Sequence, residues 1–204
     1  MQKPRILLFV KYPLRGFVKT RIGQDLGDRT AVKIYKKLAN HLSQELRAIP
    51  ALPTTVFYTP RGYKNATRRW LGQDFTYSLQ QGSDLGERLR CAAKRMFKRY
   101  SSPLLILGVD TPGVNRSLLY QAVHLLKRYQ AVIGPTFDGG YYLLGFNHFH
   151  PHLFEGIDWG SSRVFGQTLQ RLKKIQYSRI CLKKLCDMDT PRDLKELAKY
   201  GIDF

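Results

Sequence analysis

The sequence predicts a single α/β domain over residues 1–204, with a three-layer, doubly wound and mostly parallel sheet. First, strand-like apolar runs alternate along the chain with segments of helical spacing, the order that right-handed crossovers between parallel strands produce. Second, the runs at 6–10 and 103–109 are continuously apolar, which is typical of strands buried on both faces. Third, a chain of 204 residues with 43% hydrophobic and 24% charged side chains suits one core of ordinary composition.

The first half of the chain predicts the order β-α-β-α-β. A strand at 6–10 leads into a basic loop and then a helix from Asp28 to Leu46, with Asp28 as its N-cap. The run TTVFYT is β-branched and aromatic and predicts a second strand, and a basic surface helix after it ends at Gly72. The segment DFTYSL then predicts a further short strand.

The second half predicts the remaining strands and helices. Asp84 opens a helix, and PLLILGV at 103–109 forms the central buried strand, followed by a helix over 118–126. AVIGP and YYLLGF flank the turn TFDGG, which indicates a strand, a turn and a strand. Two last helices are predicted around 164–172 and 191–200, and no element is assigned to QYSRICLKKLCDMDT between them.

The net charge of +19 indicates an anionic partner such as nucleic acid, acidic lipid or a phosphorylated substrate, unless the cations only solvate helix faces. Scattered basic pairs favour the second interpretation. Three cysteines without Cys-x-x-Cys spacing predict neither a disulfide framework nor a zinc site. Because no signal peptide or transmembrane segment is found, a cytoplasmic protein is expected.

The segment FVKYPLRGFVKTRIG carries four cations and a glycine just beyond the first strand. Open α/β sheets bind ligands at the carboxyl ends of their strands, so this loop predicts an anion site. Backbone N–H groups near Gly16 and the exposed cation of Lys19, together with Arg21, would hold a pyrophosphate.

Acidic residues are rare in this chain, 15 against 34 Lys and Arg, and several of them follow predicted strands. The carboxyl ends of neighbouring parallel strands lie side by side, so these acids can converge there. Hard carboxylate oxygens suit Mg²⁺ or Mn²⁺. The acids in these positions are Asp84, Asp110, Asp138, Asp187 and Asp189.

Each of these acids also fits a local structural role. Asp189 precedes Pro191 as an N-cap would, Asp110 fits a turn before TPG, and Asp138 precedes two glycines. Asp84 lies three residues before Glu87, the spacing of a capping box. Composition and spacing leave the metal site and the local roles both open.

Taken in order, six motifs resemble the DUF2064 family of bacterial glycosyltransferase-A-like proteins, from residue 5 to about 197. They are FVKYPLRGFVKTRIG, GSDLGERL, LILGVDTPGV, IGPTFDGGYYLLGF, IDWGSSRVFGQTLQRL and DMDTPRDL. The resemblance implies the nucleotide-diphospho-sugar transferase (GT-A) type of fold, related to nucleotidyltransferases that make molybdenum cofactor dinucleotides and to phospholactate guanylyltransferases.

The resemblance also implies a role for each motif residue. The phosphate-binding loop would use Lys11, Gly16, Lys19 and Arg21. The segment beside the nucleobase and ribose would use Gly82 and Asp84. The metal positions would be Asp110 with Asp187 or Asp189. The acceptor-side turn would use Asp138, Gly139 and Gly140.

Two departures from related families favour nucleotidyl over glycosyl transfer. The loop lacks the GGxGxR form of many sugar-nucleotide pyrophosphorylases, and GVDTPG lacks the Asp-x-Asp pair of many glycosyltransferases. Catalysis would depend on Lys19 and Asp110, and Asp138 is the candidate base for glycosyl transfer. Trp159 either lines the acceptor pocket or fills the core.

The sequence therefore predicts a metal-dependent transferase that uses a nucleotide or nucleotide-diphospho-sugar donor and a small acceptor. The alternative is a catalytically inactive GT-A-like fold that binds nucleotides, nucleic acid or anions. The absence of an RNA-recognition, KH or helix-turn-helix signature argues against nucleic acid. An exposed sheet edge could pair across a homodimer, although no motif specifies it.

Overall fold

The computed structural model describes residues 2–203 and contains one sheet of seven strands. β-branched, aromatic and aliphatic residues dominate the four central strands, which are buried almost throughout. The strands are β1 (Arg5–Lys11), β2 (Thr54–Thr59), β3 (Thr76–Leu79), β4 (Leu104–Leu107), β5 (Ala131–Pro135), β6 (Tyr141–Phe146) and β7 (Arg179–Cys181).

Within residues 2–203, six α-helices and two 3₁₀ helices accompany the strands, and all but the second 3₁₀ helix lie between strands. Most of the α-helices are amphipathic and turn one apolar side to the sheet. The α-helices are α1 (Thr20–Leu26), α2 (Asp28–Arg47), α3 (Lys64–Leu71), α4 (Leu85–Tyr100), α5 (Arg116–Leu125) and α6 (Val164–Lys174), and the 3₁₀ helices are Pro151–Phe154 and Pro191–Tyr200.

The strand order is β3-β2-β1-β4-β6-β5-β7, and β6 alone among the strands of residues 2–203 runs antiparallel to its neighbours. β6 follows β5 through a tight turn and inserts between β4 and β5. This turn therefore lies at the end of the sheet where β1 and β4 finish. We call this end of the sheet the carboxyl edge.

Three apolar clusters of side chains within residues 2–203 hold the layers together. One cluster packs α2, α3 and α5 on one face of the sheet, and a second packs α4, α6 and the 3₁₀ helix Pro151–Phe154 on the other. A third joins α1 and α2 to the C-terminal 3₁₀ helix, where Ile22 and Leu38 meet Leu197. No helix within residues 2–203 has the length and apolarity of a membrane span.

The predicted α/β fold with a mostly parallel, doubly wound sheet is confirmed. Three local expectations need correction. Gly27, with φ 82°, caps α2, and Asp28 is the first helical residue. The short helix α1 begins within the predicted anion-binding loop, and β7 lies in QYSRICLKKLCDMDT, for which the sequence predicts no element.

Candidate active site

A cleft of about 920 Å³ opens at the carboxyl edge of the sheet. Its walls come from the ends of β1 and β4, the start of α1, the β5–β6 turn and the segment after β7. These segments are far apart in sequence but adjacent in the sheet, as expected for a ligand site in an open α/β fold.

Lys19 lies at the floor of this cleft. It is the N-cap of α1 and adopts a left-handed backbone conformation, with φ 47° and ψ 47°. Its side chain is only 4% exposed, and Nζ contacts the Asp110 carboxylate and donates a hydrogen bond of 2.8 Å to Oδ1 of Asp189. The expectation of an exposed cation at Lys19 was therefore wrong, because the backbone turns the side chain inward onto two carboxylates.

Burial and charge act in opposite directions on Lys19. Burial alone would lower the pKa of the ammonium, but the charges of Asp110 and Asp189 and their hydrogen bonds more than offset this, so the pKa is raised. Lys19 therefore stays protonated. One cation is shared by two carboxylates, whose side chains remain 43% and 38% exposed to the cleft.

Asp187 lies beside this group in a different environment. Burial raises the pKa of Asp187 to about 7, and the charges of Asp110 and Asp138 add to the increase. A hydrogen bond from the Thr111 hydroxyl and the charge of Lys19 act in the other direction. Asp187 therefore changes its protonation near neutral pH.

Backbone hydrogen bonds hold the segment after β7 in place. Leu185 N–H donates to the Pro135 carbonyl at 3.1 Å, and Phe137 N–H donates to the Leu185 carbonyl at 3.1 Å. Met188 N–H donates to the Asp110 carbonyl at 2.9 Å. Asp187 and Asp189 therefore lie on either side of Met188, whose backbone is hydrogen-bonded to Asp110 just beyond β4.

The β5–β6 turn is tightly constrained. Oδ1 of Asp138 accepts hydrogen bonds from Oγ1 of Thr136 and, at 3.0 Å, from Gly140 N–H. Gly139 has φ +90°, and a Cβ there would lie 2.0 Å from the carbonyl oxygen of Ser162. Gly139 therefore permits both the turn and the close approach of the segment that leads into α6.

Gly82 and Asp84 shape the start of α4. The Asp84 carboxylate caps the helix by accepting from Glu87 N–H at 2.8 Å, and Oε2 of Glu87 accepts from Ser83 N–H at 2.8 Å. A Cβ on Gly82 would lie 2.6 Å from the Glu87 Cβ. The predicted capping role is confirmed, with Glu87 reaching the residue before the cap.

Trp159 separates the cleft from a smaller cavity of about 320 Å³ beside α4. Its ring centroid lies 6.4 Å from that of Tyr141 in an edge-on arrangement. A Cβ on Gly86 would lie 2.2 Å from Nε1 of Trp159, so the indole packs directly on the backbone of α4. The half-buried indole thus both packs and lines the cleft.

The structure brings most of the sequence-predicted site residues to the cleft. Those that line it are Lys11, Lys19, Arg21, Asp110, Asp138, Gly140, Trp159, Asp187 and Asp189. Four do not line it. Gly16 lies in the exposed loop before α1, Gly82 and Asp84 lie at the start of α4, and Gly139 packs against Ser162.

Sequence reasoning missed three residues of the site. The buried Tyr35 hydroxyl accepts a hydrogen bond of 2.8 Å from Lys11 N–H, and burial raises its pKa. Nε2 of Gln80 donates to the Val10 carbonyl at 3.0 Å, and Thr111 donates to Asp187. Tyr35 had the spacing of a core residue, and no local signal marked the other two.

The oxygen donors of the site suit a divalent cation whose coordination is completed by a bound ligand and water. Asp110 and Asp189 supply hard oxygen atoms that face the cleft. Within residues 2–203 there is no group of three or more His, Cys, Asp and Glu side chains placed to hold a metal ion. Mg²⁺ is commonly held by one or two carboxylates together with substrate phosphates and water.

Comparison with solved structures identifies similar folds. A candidate nucleotide-diphospho-sugar transferase from Desulfovibrio desulfuricans G20 is 35% identical, with a TM-score of 0.90 over 97% of this chain and 87% of that chain. A 4-diphosphocytidyl-2C-methyl-D-erythritol synthase from Anaerococcus prevotii DSM 20548 is 10% identical, with a TM-score of 0.60 over 98% and 99% of the two chains. A CMP:2-keto-3-deoxy-manno-octonic acid synthetase complexed with CTP is also 10% identical, with a TM-score of 0.59 over 98% of each chain.

At 10% identity, the similarities to the cytidyl synthase and to the CMP synthetase concern the fold alone.

A comparison with curated protein sequences gives no significant match. The family model described as "Uncharacterized protein conserved in bacteria (DUF2064)" matches residues 38–161, which is more than half of the sequence. The chain therefore belongs to the DUF2064 family.

Proposed function

We propose that this protein is a metal-dependent transferase that uses a nucleotide or a nucleotide-diphospho-sugar as donor and a small molecule as acceptor. The observation that carries this proposal is the pairing of Asp110 and Asp189 around the Lys19 ammonium, on the floor of a cleft of about 920 Å³. The relationship to the D. desulfuricans protein, a candidate nucleotide-diphospho-sugar transferase, supports the same class.

Lys11 and Arg21 are the residues proposed to bind the donor phosphates. Both side chains are exposed, both line the cleft, and neither forms an ion pair with an acid of residues 2–203. They are thus free to pair with phosphate oxygens. Since the loop between β1 and α1 holds Gly16 rather than a run of glycines, side-chain cations replace a dense set of backbone amides.

Asp110 and Asp189 would hold Mg²⁺ or Mn²⁺, with Asp187 next to them. When bound, the ion would neutralise phosphate oxygens as negative charge develops on the leaving group. Lys19 fixes the two carboxylates in one arrangement before any ligand arrives. We propose that Lys19 contributes positive charge to the site and shares the two carboxylates with the bound ion.

We further propose nucleotidyl transfer as the reaction. A phosphate or hydroxyl oxygen of the acceptor would attack the α-phosphorus of a nucleoside triphosphate, and pyrophosphate would leave. This reaction depends mainly on positioning and charge neutralisation, for which the cleft has suitable residues. The fold shared with a synthetase that binds CTP agrees with a triphosphate donor.

Glycosyl transfer is the second candidate, favoured by the description of the D. desulfuricans protein. It would require a base near the acceptor hydroxyl. The two hydrogen bonds that the Asp138 side chain accepts within the β5–β6 turn both end on Oδ1, which leaves Oδ2 as the oxygen that would take the proton. Trp159 and Gly140 would then contact the acceptor.

A thermal-shift panel tests the donor. Nucleoside triphosphates, nucleoside diphosphates and nucleotide-sugars are each added with Mg²⁺, with Mn²⁺ or with EDTA. A ligand at 100 times its dissociation constant stabilises the protein by roughly 2.7 kcal/mol, which for a chain of this size is a shift of about 5–10 °C. We expect the largest shift from a triphosphate, and only with metal.

Two variants provide the controls for this panel. Asp110→Asn removes one metal ligand and should abolish the metal-dependent shift, whereas Asp25→Asn on the exposed side of α1 should not change it. A shift that is equal with EDTA would contradict the metal site. Binding without release of pyrophosphate or of a nucleoside diphosphate, for any acceptor tested, would favour the inactive nucleotide-binding alternative.

A further inference from the structure

Positive charge is concentrated at the end of the sheet opposite the cleft, where the parallel strands begin. We call this surface the amino-edge face and define it by residues 3–5, 98–104, 126–131, 146–150 and 173–179. α4 and α5 follow parallel strands and run back to the starts of β4 and β5, and α6 leads into the start of β7, so all three helices end here. Each of the three ends in or just before a basic pair: Lys98-Arg99, Lys127-Arg128 and Lys173-Lys174.

Strand pairing fixes the width of this face. Arg5 pairs with Leu104, Leu104 with Phe146, Phe146 with Ala131, and Ala131 with Arg179. These five residues therefore form one row across the sheet. Four strand spacings of about 4.8 Å give a row of about 19 Å between the first strand and the last.

Loop hydrogen bonds hold the three helix ends against this row. Arg5 N–H donates to the Pro103 carbonyl at 2.9 Å, which joins the end of α4 to β1. Gln130 N–H donates to the Ser178 carbonyl at 2.9 Å, and Asn147 N–H donates to the Gln130 carbonyl at 3.0 Å. The basic pairs are therefore parts of one continuous surface.

The starts of β2 and β3 lie beside the amino-edge face at the same end of the sheet, and the acid there, Asp74, pairs with Arg47. The face itself contains no acidic residue. Its five segments contain nine cations and no Asp or Glu, and within residues 2–203 none of the nine forms an ion pair. Eight of them are exposed, and Arg5 is partly buried. The nine are Lys3, Arg5, Lys98, Arg99, Lys127, Arg128, Lys173, Lys174 and Arg179.

Helix dipoles explain only part of this pattern. Cations near a helix C-terminus are stabilising, which accounts for one basic residue at each end. A second basic residue in each pair, together with Lys3, Arg5 and Arg179, adds like-charge repulsion that the fold does not need. A surface with a single sign of charge acts at a distance on an anionic partner.

The details of the face select among anionic partners. Arg5 lies 3.4 Å and Arg99 5.2 Å from the centroid of the Tyr100 ring, so cations already contact the aromatic side chain that unpaired bases would stack on. The face consists of helix ends and strand starts, so neither the side of a helix nor a β-ribbon projects from it into a nucleic-acid groove. A broad row of cations without an inserting element matches a planar anionic surface.

We propose that the amino-edge face docks this protein on bilayers that contain anionic phospholipids. Attraction between the cations and lipid phosphates would hold the protein at the surface without inserting it. None of the large hydrophobic side chains exposed within residues 2–203 lies on this face. In this orientation the cleft, at the opposite edge, faces away from the bilayer. The proposal does not depend on the reaction in the cleft.

Vesicle sedimentation without nucleotide or metal tests the proposal. The probes are phosphatidylcholine vesicles and vesicles of phosphatidylcholine with 30% phosphatidylglycerol, the latter in 50, 150 and 500 mM NaCl. We expect binding to the anionic vesicles only, with loss of binding at the highest salt. At about 1 kcal/mol for each Lys or Arg at an anionic surface, K173Q/K174Q should weaken binding about 30-fold.

The matched control is K33Q/K36Q, which removes the same charge from an exposed part of α2 outside the face. It should weaken binding less than about threefold, and thermal melting verifies that both variants are folded. Equal loss in the two variants would overturn the proposal, because net charge and not the face would then drive binding. Equal binding to neutral vesicles, or complete displacement from vesicles by a short DNA duplex at equal phosphate concentration, would overturn it as well.

Discussion

The ammonium of Lys19 pairs with Asp110 and Asp189, the two carboxylates proposed to hold the metal, so it would compete with a divalent cation for them. In Lys19→Met the carboxylates lose this cation, and since both are partly exposed, water offsets part of the loss. We expect a destabilisation of about 1–2 kcal/mol in urea unfolding. We also expect tighter binding of Mn²⁺ in the absence of nucleotide, measured by electron paramagnetic resonance.

Lys11→Met is the matched variant for Lys19→Met, because Lys11 lines the same cleft but its side chain is exposed. It should leave both stability and Mn²⁺ affinity nearly unchanged and should weaken only nucleotide binding. If Lys19→Met bound Mn²⁺ more weakly than the parent protein, the ammonium would not compete for the metal ligands.

The raised pKa of Asp187 predicts a pH dependence of folding. In the folded protein this carboxyl keeps its proton up to about pH 7, whereas in the unfolded chain it loses it near pH 4. The folded state therefore binds more protons in this window, and its stability falls as pH rises from about 4 to 7. The loss attributable to Asp187 is at most about 4 kcal/mol.

Asp187→Asn isolates this effect, because the amide cannot ionise. The free energy of unfolding of the variant relative to the parent should rise between pH 5 and pH 8, measured by urea unfolding with EDTA present. Asp25→Asn, at an exposed site, should show no such change. A pH-independent difference for Asp187→Asn would mean that Asp187 is ionised in the folded protein throughout.

The ion pairs of the site illustrate the limit of sequence reasoning at the residue scale. Asp110 was found because it follows a strand-like run, and Asp189 because it stands just before a predicted helix; both are local patterns. The inward turn of Lys19 depends on a left-handed backbone at the start of α1 and on a partner 170 residues away. Spacing in the sequence carries no information about either.

Among the connecting elements, the packing of the β5–β6 turn can be tested by comparing Gly139 in the turn with Gly160 outside it. Gly139 and Gly160 have nearly the same positive φ, +90° and +89°, but only Gly139 is in contact with other backbone. Alanine at either position incurs left-handed strain of about 1–2 kcal/mol. Gly139→Ala should be destabilised by a further 1–3 kcal/mol or so, because its Cβ overlaps Ser162.

Urea unfolding of the two alanine variants measures this difference. Equal stabilities would mean that the segment from Ser161 to Val164 moves away from the turn without cost. That result would also imply that Asp138 and the start of α6 are not held in a fixed relation, which would weaken the assignment of an acceptor site to this turn.

The helices and strands that could be predicted from the sequence are those with a clear amphipathic or apolar pattern. The strands β2, β5 and β6 were predicted with the observed bounds, because each is a dense apolar or β-branched run. β7 was missed because it has three residues, two of them exposed, and forms by pairing with β5. α1 was missed because seven residues with one buried side chain give no periodic signal.

For the whole molecule, the net charge of +19 predicts a stability that rises with salt. Self-repulsion destabilises a compact state with such a charge, and NaCl shortens the range of the repulsion from about 30 Å at 0.01 M to about 8 Å at 0.15 M. We expect an increase in Tm of about 2–4 °C, equivalent to about 1 kcal/mol, by scanning calorimetry with EDTA. An equal concentration of glycerol is the control, and a Tm that falls with NaCl would contradict the expectation.

The distribution of this charge has a second consequence at the scale of the molecule. Four aspartates lie at the carboxyl edge, while the amino-edge face has nine cations and no acid. The amino-edge face is therefore uniformly positive, whereas at the carboxyl edge the aspartates lie among cations such as Lys11, Lys19 and Arg21. Composition predicted the excess of cations, but their separation from the acids appears only when the helix ends are placed on the sheet.

The contact between Lys19 and Asp189 also bears on the synthesis of the protein. The two residues are separated by 170 positions, so the first helix leaves the ribosome long before its partner is made. A nascent chain that already holds β1 and β4 lacks one of the two carboxylates that neutralise the lysine. Assembly of the cleft therefore waits for translation to reach Asp189, and a chain terminated before that residue would have an incomplete site.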